Sequence, residues 1–156
     1  MTSIVLPSRI EKRLKEESER TGASEEELVL EALSKILKEP LDPETKVEIH
    51  LKLSEKYMKD AEDFLSKKDY VQASEKAWGA ASQIVKALAA KKGRELKSHR
   101  ELHEFVANID LGDRELGRLW RSAVSLHQNF YENWFVESQV IDGVEDVKRF
   151  LQKLKQ

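Results

Sequence analysis

The residues best suited to chemistry are concentrated between Arg121 and Phe135, in the stretch RSAVSLHQNFYENWF. It holds one of the four histidines, a tryptophan and a Phe-Tyr pair, and Trp120 stands directly before it. Histidine titrates near neutral pH and can transfer protons, whereas aromatic rings fill cores and interfaces. The stretch is therefore a core, a catalytic site or a dimer interface.

Helical periodicity divides this stretch into faces, because the sequence predicts a helix from about 114 to 137. A core stripe is expected at Leu119, Ala123, Leu126 and Phe130, beside an aromatic stripe at Trp120, His127, Tyr131 and Trp134. We expect packing or interface roles for Trp120, Phe130, Tyr131 and Trp134. Arg121 falls with Ser125 and Asn129 on a polar edge, roughly 120° around the helix from His127 at about 100° per residue. Within one chain, the two side chains therefore meet only if Arg121 bends toward His127. In a dimer, Arg121 of one chain could instead pair with His127 of the other.

Other groups with chemical potential are less specific. His99 and His103 lie four residues apart, a spacing compatible with a metal, with Glu104 adjacent. No third ligand follows at convincing spacing, so the pair is interpreted as exposed, and neither a metal nor a cofactor is predicted. The chain has no cysteine, which excludes disulfides, thiolate catalysis and zinc–sulfur sites.

Basic residues form two clusters that could hold a phosphate backbone. The first cluster, in KKGRELKSHR, consists of Lys91, Lys92, Arg94, Lys97 and Arg100. The second consists of Arg114 and Arg118, which lie at helical spacing with Arg121. Solvated helix ends are the simpler interpretation. If both clusters share a face, RNA binding becomes plausible.

Composition restricts the class of protein. The 156 residues are 40% hydrophobic and 36% charged, with a formal net charge of -2. This suits one domain with charged helix surfaces, and it gives no overall attraction to nucleic acid or anionic lipid. No apolar run approaches the roughly 18 residues of a membrane span, and the N-terminus lacks an apolar leader pattern. We expect a cytoplasmic protein that does not enter membranes.

Two prolines mark the main boundary of the chain. Pro40 and Pro43 interrupt helix in KEPLDPE, so residues 1–40 are predicted to form an N-terminal arm and residues 41–156 a helical bundle. Within the arm, Ser24 and Glu27 form a capping box that opens a helix. Short loops between amphipathic segments predict an all-α, antiparallel up-and-down bundle.

The arm, IVLPSRIEKRLKEESERTGASEEELVLEALSKIL, resembles a ribbon-helix-helix module. The resemblance implies dimerisation through a short strand that places side chains in the DNA major groove. Here Ser3 and Val5 share a strand face without a side chain for a base edge, and SEEE would repel a phosphate at the second helix. The arm is therefore interpreted as a packing or dimerisation element. Specific DNA binding by a regulator is kept as an alternative.

The blocks DYVQASEKAWGAA, KSHREL and LHQNFYEN resemble the archaeal PaREP family over about residues 40–150. That family in turn looks like a branch of the HEPN superfamily. The resemblance implies a HEPN-like bundle of four or five helices that often dimerises. Many HEPN proteins are metal-independent RNases, toxins or toxin-linked partners, and others are non-catalytic nucleotide-binding or scaffold domains. We therefore expect a homodimer that interacts with a protein or with RNA.

An arginine followed at short spacing by a histidine is the active HEPN motif. Arg121 and His127 match it with five residues between them, and Ser122 occupies the polar position after the arginine. In this alternative function, a metal-independent endoribonuclease, His127 is the acid or base and Arg121 clamps the phosphate.

Overall fold

The computed structural model describes residues 3–109 and 113–155, and within these residues it contains seven α-helices and no strand. The all-α class is confirmed. The helices are α1 Ser8–Thr21, α2 Glu25–Leu37, α3 Pro43–Ser66, α4 Tyr70–Lys91, α5 His99–Ile109, α6 Arg114–Glu132 and α7 Glu137–Lys155. The antiparallel, up-and-down course of a HEPN-like bundle stays a prediction.

Helix α4 is the central element of the bundle and packs against α3, α5, α6 and α7. Its alanines, with no side chain beyond Cβ, let neighbouring helices approach closely. At Gly79 a Cβ would lie 3.1 Å from the Tyr57 ring, which is tighter than ordinary packing. The core also takes large side chains from α5, α6 and α7, including Phe105, Leu126 and Phe150.

Helices α3, α4 and α6 each begin after an aspartate whose side chain caps the first turn. The carboxylate of Asp42 accepts the Thr45 N–H at 2.8 Å, with Pro43 opening α3. Asp69 and Asp113 cap α4 and α6 in the same way. Each cap accepts an amide hydrogen that has no partner within its helix.

The arm consists of α1 and α2, and neither helix contains a fully buried residue. Gly22 ends α1 in the left-handed conformation, with a φ of 76°, and the capping box of Ser24 and Glu27 opens α2. Ser3 to Pro7 carry no regular structure, so the ribbon, which requires a second chain, stays a prediction. None of the described helices is long and apolar enough to cross a lipid bilayer.

Candidate functional site

His127 lies in a groove of about 250 Å³ between the turn of the arm and helices α4 and α6. Its Nδ1 is 2.9 Å from Oε2 of Glu75, and its ring stacks on Trp78 with centroids 4.9 Å apart. Glu75 and Trp78 are three residues apart on α4 and so share a face. A neutral His127 that donates from Nδ1 to Glu75 keeps Nε2 as a proton acceptor.

Two histidines lie on α5, of which His99 lines this groove and His103 does not. The His99 ring meets His127 edge-on at 5.2 Å, whereas His103 accepts the Trp120 indole N–H at 3.0 Å. Burial lowers the pKa of His99, and nearby His127 and His103 lower it further. In the part of the chain that the structure describes, no group of three or more His, Asp or Glu could hold a metal ion.

Asn129 links the sequence blocks DYVQASEKAWGAA, in α4, and LHQNFYEN, in α6. The residue is 1% exposed, donates to Ser74 Oγ at 3.0 Å, and accepts the Phe135 N–H at 2.8 Å. Helical phase alone places Asn129 on the polar edge, but the structure buries it against α4. It therefore fixes the turn after α6 and joins α6 to α4, two residues along the helix from His127.

Arg121 lies outside the His127 groove. Its side chain is exposed, its carbonyl accepts from Ser125, and the neighbouring Ser122 donates to Asp146 at 2.6 Å. The described cations that line the groove are Lys15 and Lys76. One chain therefore does not bring Arg121 and His127 together, and their catalytic pairing stays a prediction.

The four aromatic residues assigned to packing or an interface divide into two groups. Trp120 is buried in the core and Phe130 is half-buried. Tyr131 and Trp134 are 55% and 63% exposed, and Val136 beside them is 62% exposed. The end of α6 therefore presents an apolar surface beside the groove.

The first predicted basic cluster is exposed at the end of α4 and the start of α5. Lys92 and Arg94 lie over the Phe105 ring at 5.7 and 5.4 Å, and Arg100 pairs with Glu104 at 2.8 Å. Lys91 and Lys97 belong to the same exposed surface. Phosphate binding by this cluster stays a prediction.

The second basic cluster is partly neutralised. Arg114 is exposed at the start of α6, whereas Arg118 lies 3.5 Å from Asp146 and 3.9 Å from Glu115. A role in nucleic-acid binding stays a prediction for these arginines too.

A buried polar network joins the arm to the bundle. Lys86 Nζ lies 3.0 Å from Glu27 Oε1, Gln83 donates to Glu27 Oε2 at 3.0 Å, and His50 Nδ1 is 2.6 Å from Gln83 Oε1. Burial lowers the pKa of His50, although its hydrogen bond with Gln83 and the nearby Glu27 act to raise it. For Glu27, burial acts to raise the pKa, but Lys86, Ser24 and His50 lower it overall. The sequence signal for this network was a lysine within the alanine-rich, apolar part of α4.

Glu26 makes a second contact between arm and bundle. Its carboxylate accepts from Lys56 Nζ at 2.7 Å and from the Tyr57 hydroxyl. Burial raises the pKa of Tyr57, and the hydrogen bond to Glu26 adds to the rise. The N-terminus of α2 therefore faces α3 and α4 of its own chain.

These features define an all-helical bundle protein with a docked N-terminal helical arm. The sequence model of the archaeal PaREP1/PaREP8 family matches residues 49–151, and the chain therefore belongs to this family. The crystal structure of a Sulfolobus solfataricus protein is similar at 30% sequence identity and a TM-score of 0.60, over 66% of this chain and 93% of that chain. No curated protein matches the chain.

Proposed function

We propose that this PaREP-family chain is a homodimeric, HEPN-like interaction protein in which the arms join two copies. The observation that carries the proposal is the exposed apolar surface of the arm. Six large aliphatic side chains of the arm are exposed by 39% to 95%; they are Ile4, Val5, Ile10, Leu33, Ile36 and Leu37.

The two faces of α2 differ in what they contact. Glu26 and Glu27 bind the bundle. At about 100° per residue, Ile36 lies roughly 180° and Leu33 roughly 120° around α2 from Glu27. An apolar face left open in a chain that is 36% charged indicates a protein interface. A second copy is the favoured occupant, because the ribbon-helix-helix-like order of the arm would pair this surface with itself.

The oligomeric state tests this proposal directly. We expect sedimentation equilibrium to give a dimer for the wild type and a monomer for the double variant Leu33→Lys/Ile36→Lys. Ile141, 43% exposed on α7, provides a matched control, and Ile141→Lys should stay dimeric. A monomeric wild type, or a dimeric arm variant, would contradict the proposal.

In the proposed dimer the arms join the two copies, and the bundle supplies the surface that binds a further partner. Tyr131 and Trp134 are exposed beside the His127 groove and suit a protein partner or a stacked RNA base. Specific DNA binding through the arm is less well supported, because Glu26 and Glu27 occupy the α2 N-terminus that would otherwise hold a phosphate.

Metal-independent RNA cleavage is a second candidate, favoured by the pair of His127 and Glu75. With Nδ1 held by the carboxylate, Nε2 could take the proton of a ribose 2′-hydroxyl. The 2′-oxygen would then bond to phosphorus as the P–O5′ bond breaks, leaving a 2′,3′-cyclic phosphate. The 5′-oxygen would take a proton from water. Arg121 of a second copy would clamp the phosphate.

Ribonuclease assays in EDTA separate the two candidates. If the enzyme proposal holds, His127→Ala should lower cleavage by about 10²–10⁴-fold. Gln128→Ala, a change at an exposed position on the same helix, should retain activity. Wild-type protein without cleavage, or His127→Ala with full cleavage, would exclude the enzyme and leave the interaction proposal in place.

A further inference from the structure

A second cavity, of about 540 Å³, lies on the other side of the arm turn from the His127 groove. Gly22 and Ala23 line both cavities and separate them. The larger cavity is bounded by α2, the first turns of α3, and the connection between α4 and α5. Its volume lies within the roughly 300–1,000 Å³ typical of small-molecule sites.

The walls of this cleft are aliphatic. Six larger apolar side chains from the arm, α3, the α4–α5 connection and α5 line it: Leu28, Leu30, Leu41, Ile49, Leu96 and Leu102. Within residues 3–109 and 113–155, no Phe, Tyr or Trp ring belongs to the lining, and its one imidazole, that of His50, is hydrogen-bonded with Gln83. Such walls favour an aliphatic body over a nucleobase, which binds best against an aromatic ring.

The charges around the cleft are mostly neutralised in pairs. Glu27 pairs with Lys86 at 3.0 Å, Glu31 with Lys35 at 3.5 Å, and Glu95 with Lys46 at 3.6 Å. Another carboxylate of the lining, Glu17, pairs with Arg20.

Two cations at the rim are left over from this pairing. Arg94 and Lys97 make no ion pair with a carboxylate in the described part of the chain, and both line the cleft. Arg94 lies over the Phe105 ring, which holds the guanidinium at the rim. The surplus positive charge is therefore at one edge of an aliphatic cavity.

We propose that this cleft binds an amphiphilic anion, a molecule with an aliphatic body and a single carboxylate or phosphate head. The body occupies the leucine-lined space between arm and bundle. The head lies between Arg94 and Lys97, where a guanidinium and an ammonium donate to its oxygens. The ligand contacts both arm and bundle, so its binding stabilises the docked arm.

Isothermal titration of the full chain with decanoate, below its micelle concentration, tests the proposal. We expect one saturable site per chain. Decyl phosphate in a parallel titration distinguishes a phosphate head from a carboxylate head. Decyltrimethylammonium tests whether the head must be an anion, and adenosine monophosphate tests whether the body must be aliphatic. Both should bind about tenfold more weakly than decanoate, or not at all.

The basic cluster provides its own matched control. Arg94→Gln/Lys97→Gln should weaken decanoate binding about tenfold or more, because it removes both cations of the rim. Lys91→Gln/Arg100→Gln removes the same charge from exposed neighbours that do not line the cleft, and should leave binding unchanged. Circular dichroism checks that all variants fold.

Three results would overturn the proposal. They are an absence of decanoate binding, equal weakening in the two double variants, and adenosine monophosphate binding as tight as that of decanoate. The second would indicate general attraction to a basic surface, and the third a nucleotide site. Each of these outcomes leaves the dimer proposal untouched, because that proposal depends on the opposite face of α2.

Discussion

At the scale of residues, Asn129 and His127 lie in the same turn of α6, but the first has a structural role and the second faces the groove. Asn129 is buried, with its amide bonded to Ser74 and its carbonyl to the Phe135 N–H. His127 keeps 18% of its side chain exposed and is bonded through Nδ1 to Glu75. The first side chain holds α4, α6 and the turn before α7 in place, and the second offers a nitrogen to the groove.

Replacing Asn129 tests this division. We expect Asn129→Ala to lower the free energy of unfolding by about 1–3 kcal/mol, because the partly buried Phe135 N–H loses its acceptor. Urea denaturation measures the loss. Gln128→Ala, at an exposed position one residue earlier, should change stability by less than about 0.5 kcal/mol. Equal effects in the two variants would contradict a structural role for Asn129.

The sequence supported part of this arrangement. Periodicity placed His127 with Trp120 and Tyr131, and the structure shows the His127 ring 5.3 Å from that of Tyr131. Periodicity did not predict Glu75 as the partner of His127, because a contact between residues 52 positions apart depends on how two helices are packed. It placed Asn129 on the surface for the same reason.

At the scale of elements, α2 is an amphipathic helix whose polar end is the part docked on the bundle. Ser24 and Glu27 form the local capping box, and the same Glu27 carboxylate also binds Lys86 and Gln83. A capping motif predicts where a helix begins, since its contacts are local. It does not say what the carboxylate meets in another helix, so the docking of the arm could not be predicted.

Removing the Glu27 charge should undock the arm. In Glu27→Gln, Lys86 loses its carboxylate partner in a site where 7% of its side chain is exposed. Breaking such a buried pair costs about 3–5 kcal/mol, unless the arm moves away and lets water reach the lysine. We therefore expect faster proteolysis at the 38–42 linker, or a loss of stability of this size.

Glu31 provides the control on the same helix. Its pair with Lys35 is exposed, so Glu31→Gln should cost less than about 1 kcal/mol and leave proteolysis of the linker unchanged. Matching behaviour of Glu27→Gln and Glu31→Gln would show that the network does not hold the arm.

At the scale of the whole molecule, arm and bundle differ in how they are stabilised. The bundle has a continuous apolar core from α3 to α7, whereas α1 and α2 have no fully buried residue and meet the bundle through polar contacts. The two prolines lie between the end of α2 and the first turn of α3, and the division into two domains stays a prediction. They carried no information about how firmly the two parts are joined.

Hydrogen exchange should reveal this difference. We expect the amides of α1 and α2 to exchange through local opening at least about a hundredfold faster than those of α4, which open only with the bundle. Native-state exchange with mass spectrometry measures both in one sample. Equal protection in arm and bundle would indicate a single cooperative unit.

Gly22 connects the arm to the histidine groove. A Cβ at this position would lie 3.0 Å from the His99 ring, and that ring meets His127 edge-on. The arm turn therefore forms one wall of the groove, although the family match begins only at residue 49. A chain reduced to residues 49–151 would keep His127 and lose this wall. The size of molecule that reaches His127 is therefore set in part by an N-terminal segment outside the matched region.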